Sequence, residues 1–162
     1  MTADFNSVMP PRMLDSAAIA SLIPHHGSMC LLESVRHHDA LSITCTAQSH
    51  RLPTNPMLER GRLHAVCGVE YAAQAMAVHG ALLAGHCNAL PRGGRLAGLR
   101  SLEVHVERLD DIDGELEVAA TLLMGDGNNM IYAFTVHASS RLLLGGRATV
   151  VLMPEVAETP HD

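Results

Sequence analysis

From His64 to Leu83 the chain reads HAVCGVEYAAQAMAVHGALL, twenty residues with a single formal charge, Glu70. The segment is helical in composition and apolar on nearly every side, so it predicts a helix buried by its own domain rather than one lying on a surface with a wet face. No apolar run in the chain reaches the roughly 18 residues a membrane-spanning helix needs. The rest of the chain must supply the walls around this helix.

Strand material lies on both sides of it. Upstream, Asp15 or Ser16 can cap a short helix, Ala17–Ile23, which Pro24 ends. Met29–Val35 and Ala40–Thr46 then read as strands, the second through the alternation Leu41, Ile43, Cys45. Gln48–Arg62, with Pro53 and Asn55-Pro56, reads as a polar loop. Downstream come four strand candidates: Leu96–Leu109, Gly114–Met124, Met130–Ser139 and Leu142–Met153. Asp113-Gly114 and Gly125-Asp126-Gly127-Asn128 suit antiparallel hairpins, whereas Gly145-Gly146 suits a bulge within the last strand. The reading is an α+β domain over residues 14–153, an antiparallel sheet wrapped around one long central helix. Residues 1–13 and the acidic 154–162 tail are expected to be flexible.

The 162 residues suffice for one domain with a sizeable core, and that core must be built from aliphatic side chains. There are two Phe, two Tyr and no Trp, and every basic residue is Arg, which excludes lysine Schiff-base chemistry. A formal charge of −6 argues against a nucleic-acid partner. Cys30, Cys45, Cys67 and Cys87 fall too far apart for a paired-ligand motif and read as buried thiols in a reducing cytoplasm. Met1–Met13 has no signal-peptide pattern, so the protein is expected to be soluble and cytoplasmic. His25-His26 and His37-His38 are adjacent pairs without the i,i+4 spacing of a helical zinc site, and neither a metal nor another cofactor is expected.

Glu70 draws the chemistry. A lone carboxylate early in an apolar helix either finds a partner or takes up a proton, and a carboxylic acid kept neutral serves as a general acid. The plain alternative is a partly exposed acid stabilised by the helix N-terminus. Gln74, one turn later, shares its face and can bond the acid or a ligand. A base must come from elsewhere, with histidine the natural type. His64 sits about 120° off the face of Glu70, and His79 lies on the opposite face over ~13 Å along the axis. His50, in the preceding loop, is free to approach this helix or a neighbouring subunit's. His25 and His26, after Pro24, form the second loop candidate.

These residues carry a resemblance. I-A-S-L-I-P-H-H-G-S-M-C-L-L-E-S-V, Ile19 to Val35, is similar to the L-P-H-R-Y-P-F-L-L-V-D-R-V entry of bacterial 3-hydroxyacyl-[acyl-carrier-protein] dehydratases of hot-dog fold. Glu70-Tyr-Ala-Ala-Gln74 resembles their E-A-M-A-Q, whose Glu is the catalytic acid. N-P-M-L-x-x-G-R-L and G-V-E-Y-A-A-Q-A-M-A-V-H-G-A-L resemble the dehydratase-like proteins of aryl polyene biosynthesis clusters.

The resemblance implies a hot-dog dimer with a His of one subunit meeting the Glu of the other. It implies elimination of water from a 3-hydroxyacyl thioester, with His50 taking the C2 proton and Glu70 protonating the leaving hydroxyl. The Ala65 amide would polarise the thioester carbonyl, and Gln74 would help bind substrate. The family's catalytic His stands fourteen residues before the acid, where this chain has Pro56, so His50 fits only with a longer loop. Acyl carrier proteins are acidic, and Arg51, Arg60 and Arg62 gather beside the expected site as their docking residues. Two other readings use the same fold: a non-catalytic subunit of a heterodimeric dehydratase, and an acyl thioesterase that dispenses with His50.

Overall fold

The computed structural model describes residues 13–89 and 92–154, so most of both expected flexible ends lies outside the described residues. Helix α1, Ser16–Leu22, begins where the Asp15 carboxylate accepts the Ala18 N–H at 2.9 Å. It buries Ile19 and ends just before Pro24. A short 3-10 turn, Gly27–Met29, follows, then strands β1 (Ser34–His38) and β2 (Ser42–Ala47). The strand expected over Met29–Val35 starts only at Ser34. Before it, the segment runs alongside the central helix, which takes up its hydrogen bonds through a side chain described below.

Helix α2, Gly68–His86, is the expected central element. Its Tyr71, Ala72, Ala75 and Val78 are fully buried with Ile43, Cys45, Val118 and Val136 of the sheet. Gly68 permits the close approach, since a Cβ there would sit 2.6 Å from Leu144. The helix enters from a strand-like crossing in which Ala65 N–H donates to the Glu107 carbonyl and Leu109 N–H to the Leu63 carbonyl. The Asp110 carboxylate adds a bond from Leu63 N–H at 2.8 Å, and the Arg108 guanidinium beside it holds its pKa down at about 2.

Strands β3 (Gly94–Val104), β4 (Leu116–Gly125), β5 (Asn129–Ala138) and β6 (Arg141–Leu152) complete a six-stranded antiparallel sheet in the order β1-β2-β4-β5-β6-β3. The sheet with its one long buried helix is a hot-dog fold. One expected hairpin is absent. Asp113-Gly114 does not return β3 onto β4, because β3 pairs with β6 at the far edge and β4 with β2. Turn chemistry reports that the chain turns, and long-range pairing decides what it turns onto. The bulge expected at Gly145-Gly146 sits instead on β3 opposite them, between Arg100 and Glu103, with Ser101 at φ 53°. The glycines make room for it: a Cβ on Gly146 would lie 3.2 Å from the Arg100 carbonyl.

Every residue of β3 is exposed, including Leu96, Leu99, Leu102 and Val104. Leu96 and Leu99 pair in register with Val150 and Ala148, residues that face the core side of β6. Of the four cysteines only Cys45 is buried, where desolvation pushes its thiol up to about 12; Cys87 is exposed.

Candidate active site

Glu70 is presented in the first turn of α2, and His25 stands just after the Pro24 that ends α1. His25 Nε2 lies 3.1 Å from Glu70 Oε1. Both side chains remain partly open, at 27% and 35% exposure, so solvent or a ligand can reach the pair. They border a cavity of about 360 Å³ lined on one side by α2 from Glu70 to Ala81 and on the other by Leu96, Met130, Val150 and Leu152.

Gln74 builds this geometry. Its Oε1 accepts the Leu31 N–H at 2.9 Å, and its Nε2 donates to the Met29 carbonyl at 2.7 Å and to Glu70 Oε1 at 3.3 Å. One buried amide thus satisfies the backbone after His25 and fixes the carboxylate it faces. From the other side, Ser49 Oγ donates to the Leu31 carbonyl at 2.7 Å and meets the Tyr71 hydroxyl at 2.8 Å. Asn55 Nδ2 donates to the same hydroxyl. Leu31 is therefore clasped at both its N–H and its C=O. The Cys30 thiol further bonds the His25 carbonyl at 3.0 Å.

Several expected site residues lie elsewhere. His50 does not face Glu70. It is fully buried by its own chain, its Nε2–H donates to the Ile112 carbonyl at 3.1 Å, and burial lowers its pKa. A side chain so enclosed cannot reach across an interface. Ala65 cannot polarise a carbonyl, because its N–H already serves Glu107. Gln74 spends its amide on the backbone and on Glu70, which makes it a positioning residue. Arg51 lies 3.6 Å from Asp113, while Arg60 and Arg62 flank the exposed Glu59–Arg62 turn and form no ion pair among the described residues. His64 is 3.4 Å from Glu59.

His79 is a structural histidine. Its Nε2–H donates to the Asp39 carbonyl at 2.9 Å, so its Nδ1 accepts from the Tyr132 hydroxyl at 2.8 Å. Arg92, outside the expected site residues, donates from Nε and Nη1 to the Met153 and Gly127 carbonyls and braces the cavity wall. Among the described residues there is no group of three or more His, Cys, Asp or Glu that could hold a metal, and no helix long and apolar enough to cross a membrane.

A sequence profile described as ApeP dehydratase, of the ApeP-like family, matches residues 17–160. The chain belongs to the ApeP-like dehydratase family. Membership covers the His25 loop, α2 and the whole sheet. The structure of the dehydratase heterocomplex ApeI:P from Xenorhabdus doucetiae superposes with a TM-score of 0.77 at 22% identity, over 89% of this chain and 94% of that one. A thioesterase from Staphylococcus aureus gives 0.52 at 13% identity over 74% and 92%. A thioesterase from Haemophilus influenzae gives 0.50 at 15% over 75% and 78%. At these identities the likenesses speak to the shared fold. No curated protein matches the chain.

Proposed function

We propose that this protein acts in the dehydration of a 3-hydroxyacyl thioester carried by an acyl carrier protein, with Glu70 as the acid and His25 as the base. The observation that carries this reading is the 3.1 Å contact between the two side chains at the mouth of an apolar cavity. His25 takes the C2 proton, and that electron pair forms the C2–C3 double bond. The C3–O bond breaks as Glu70 protonates the departing hydroxyl, and water leaves. The proton held on His25 then returns to Glu70 across their contact, restoring the pair. Arg60 and Arg62, exposed just before α2, remain the candidates for the acidic carrier.

A second hot-dog subunit, of the same or another sequence, covers β3 in this reading. The exposed apolar residues of that edge strand support it, as does the heterocomplex in which the ApeI:P relative was solved. The test is to assay the full chain, alone and with a second hot-dog subunit, on a 3-hydroxyacyl-pantetheine thioester. Enoyl product that falls by about 10²–10⁴ in His25→Ala and in Glu70→Gln is expected. Undiminished dehydration in both variants would show that the second subunit holds the active groups and that this chain only supports it. Thioester hydrolysis without enoyl product would refute the dehydratase reading.

A further inference from the structure

The cavity beside His25 and Glu70 is longer than the reacting carbons require. Its floor is one face of α2: Glu70, Ala73, Met76, Ala77, Gly80 and Ala81 line it, and at ~100° per residue they fall within a sector of roughly 140°. Gly80, ten residues beyond Glu70, lies ~15 Å further along the helix axis.

Nothing local explains a glycine there. It is interior to α2, where glycine is less stable than alanine, and its φ is not positive. A Cβ at position 80 would meet no atom within 4 Å, unlike one at Gly68, where Leu144 presses on the helix. What the missing side chain leaves is open space at that depth of the cavity. Leu96, Met130, Val150 and Leu152 give the facing wall an apolar stretch, with Arg92 and Tyr132 also lining it.

Resting on the thioester reading above, we propose that Gly80 is a specificity-determining residue that sets how far an acyl chain reaches. An extended chain advances ~1.1–1.2 Å per bond, as three backbone bonds span 3.3–3.6 Å, so ~15 Å holds roughly a dozen bonds beyond the reacting carbon. The ligand class is an unbranched long-chain acyl thioester lying along α2.

The test is a binding measurement, which does not depend on turnover. The chain has no Trp, so displacement of a fluorescent conjugated fatty acid from the full-length protein can be followed against a low background. Tetradecanoyl-pantetheine is expected to displace the probe more tightly than hexanoyl-pantetheine. Gly80→Leu should weaken the tetradecanoyl thioester by about tenfold or more while leaving the hexanoyl thioester within about twofold. Ala77→Leu, one turn nearer Glu70, should weaken chains of intermediate length as well, and serves if Gly80→Leu does not fold. Equal effects on both thioesters, or none, would overturn the proposal. Length-selective loss without any dehydration would uphold the role of Gly80 and refute the dehydratase chemistry, so the two failures are distinguishable.

Discussion

His25 Nε2 and Glu70 Oε1 meet within one chain, 45 residues apart in sequence, because Gln74 ties the loop after His25 to the helix that carries Glu70. An acid and base on one chain behave differently from a pair shared across an interface. Mixing His25→Ala chains with Glu70→Gln chains should restore no dehydration, since no subunit then holds both groups. Recovery of a large fraction of activity on mixing would place the pair across the interface.

His50 packs as a core residue, and its replacement should be felt in stability. His50→Ala leaves a small void and an unpaired Ile112 carbonyl, at a cost of about 2–4 kcal/mol in chemical denaturation. The folded fraction should keep its kcat within a few-fold. A loss of kcat as large as that of Glu70→Gln, with stability unchanged, would reinstate His50 as a reacting group.

Gln74 should link stability to positioning. In Gln74→Leu, Leu31 N–H and Met29 C=O lose their partner, which costs about 2–3 kcal/mol. The carboxylate of Glu70 also loses an N–H donor, and the loop after His25 loses its tether to α2. In the folded variant kcat should fall by about tenfold or more with KM little changed, a split that mere loosening of the fold would not produce. An unchanged kcat would leave Gln74 with a structural part alone.

Burial lowers the pKa values of His50 and His79 from the ordinary 6.5. Below that value the unfolded chain binds protons that the folded one refuses, so this contribution to stability is whole above 6.5 and declines as pH falls through it. Urea unfolding should show a lower midpoint at about pH 5 than at about pH 7.5, and His79→Leu should flatten the difference. Tyr132→Phe, which strips His79 Nδ1 of its donor, should cost about 1–3 kcal/mol at either pH.

The exposed leucines of β3 give the fifth expectation. Leu99→Arg places a charge on the core-facing side of the edge strand without touching Glu70 or His25. In sedimentation velocity the wild-type chain should associate, with itself or a co-expressed hot-dog subunit, and the variant should sediment as a monomer. Unchanged association would move the interface away from β3.

Much of this was legible in the sequence because it depends on local pattern. A helix with one charge in twenty residues announces its own burial, and the β2 and β4–β6 strands show their alternation or their turns. The placement of β3 was not legible, since Asp113-Gly114 turns the chain in the same way whether the next strand returns or crosses over. The partner of Glu70 was obscured for another reason. Eleven histidines offered many choices, and the one that reaches the acid is delivered by contacts to the backbone of Met29 and Leu31, which leave no mark on residue type. Gln74, correctly placed beside Glu70 by helical spacing, turned out to address that backbone first.

In the proposed assembly, the edge strand makes the stability of this protein a property of more than one molecule. An eleven-residue strand with four apolar side chains in water templates any neighbour able to pair with it. A subunit that covers it shifts the folding equilibrium by mass action, so the midpoint of unfolding should rise with the concentration of that subunit. In that assembly, chain made in excess of its cover is aggregation-prone, so the supply of that cover, a second copy or another hot-dog subunit, sets how much of this protein stays folded.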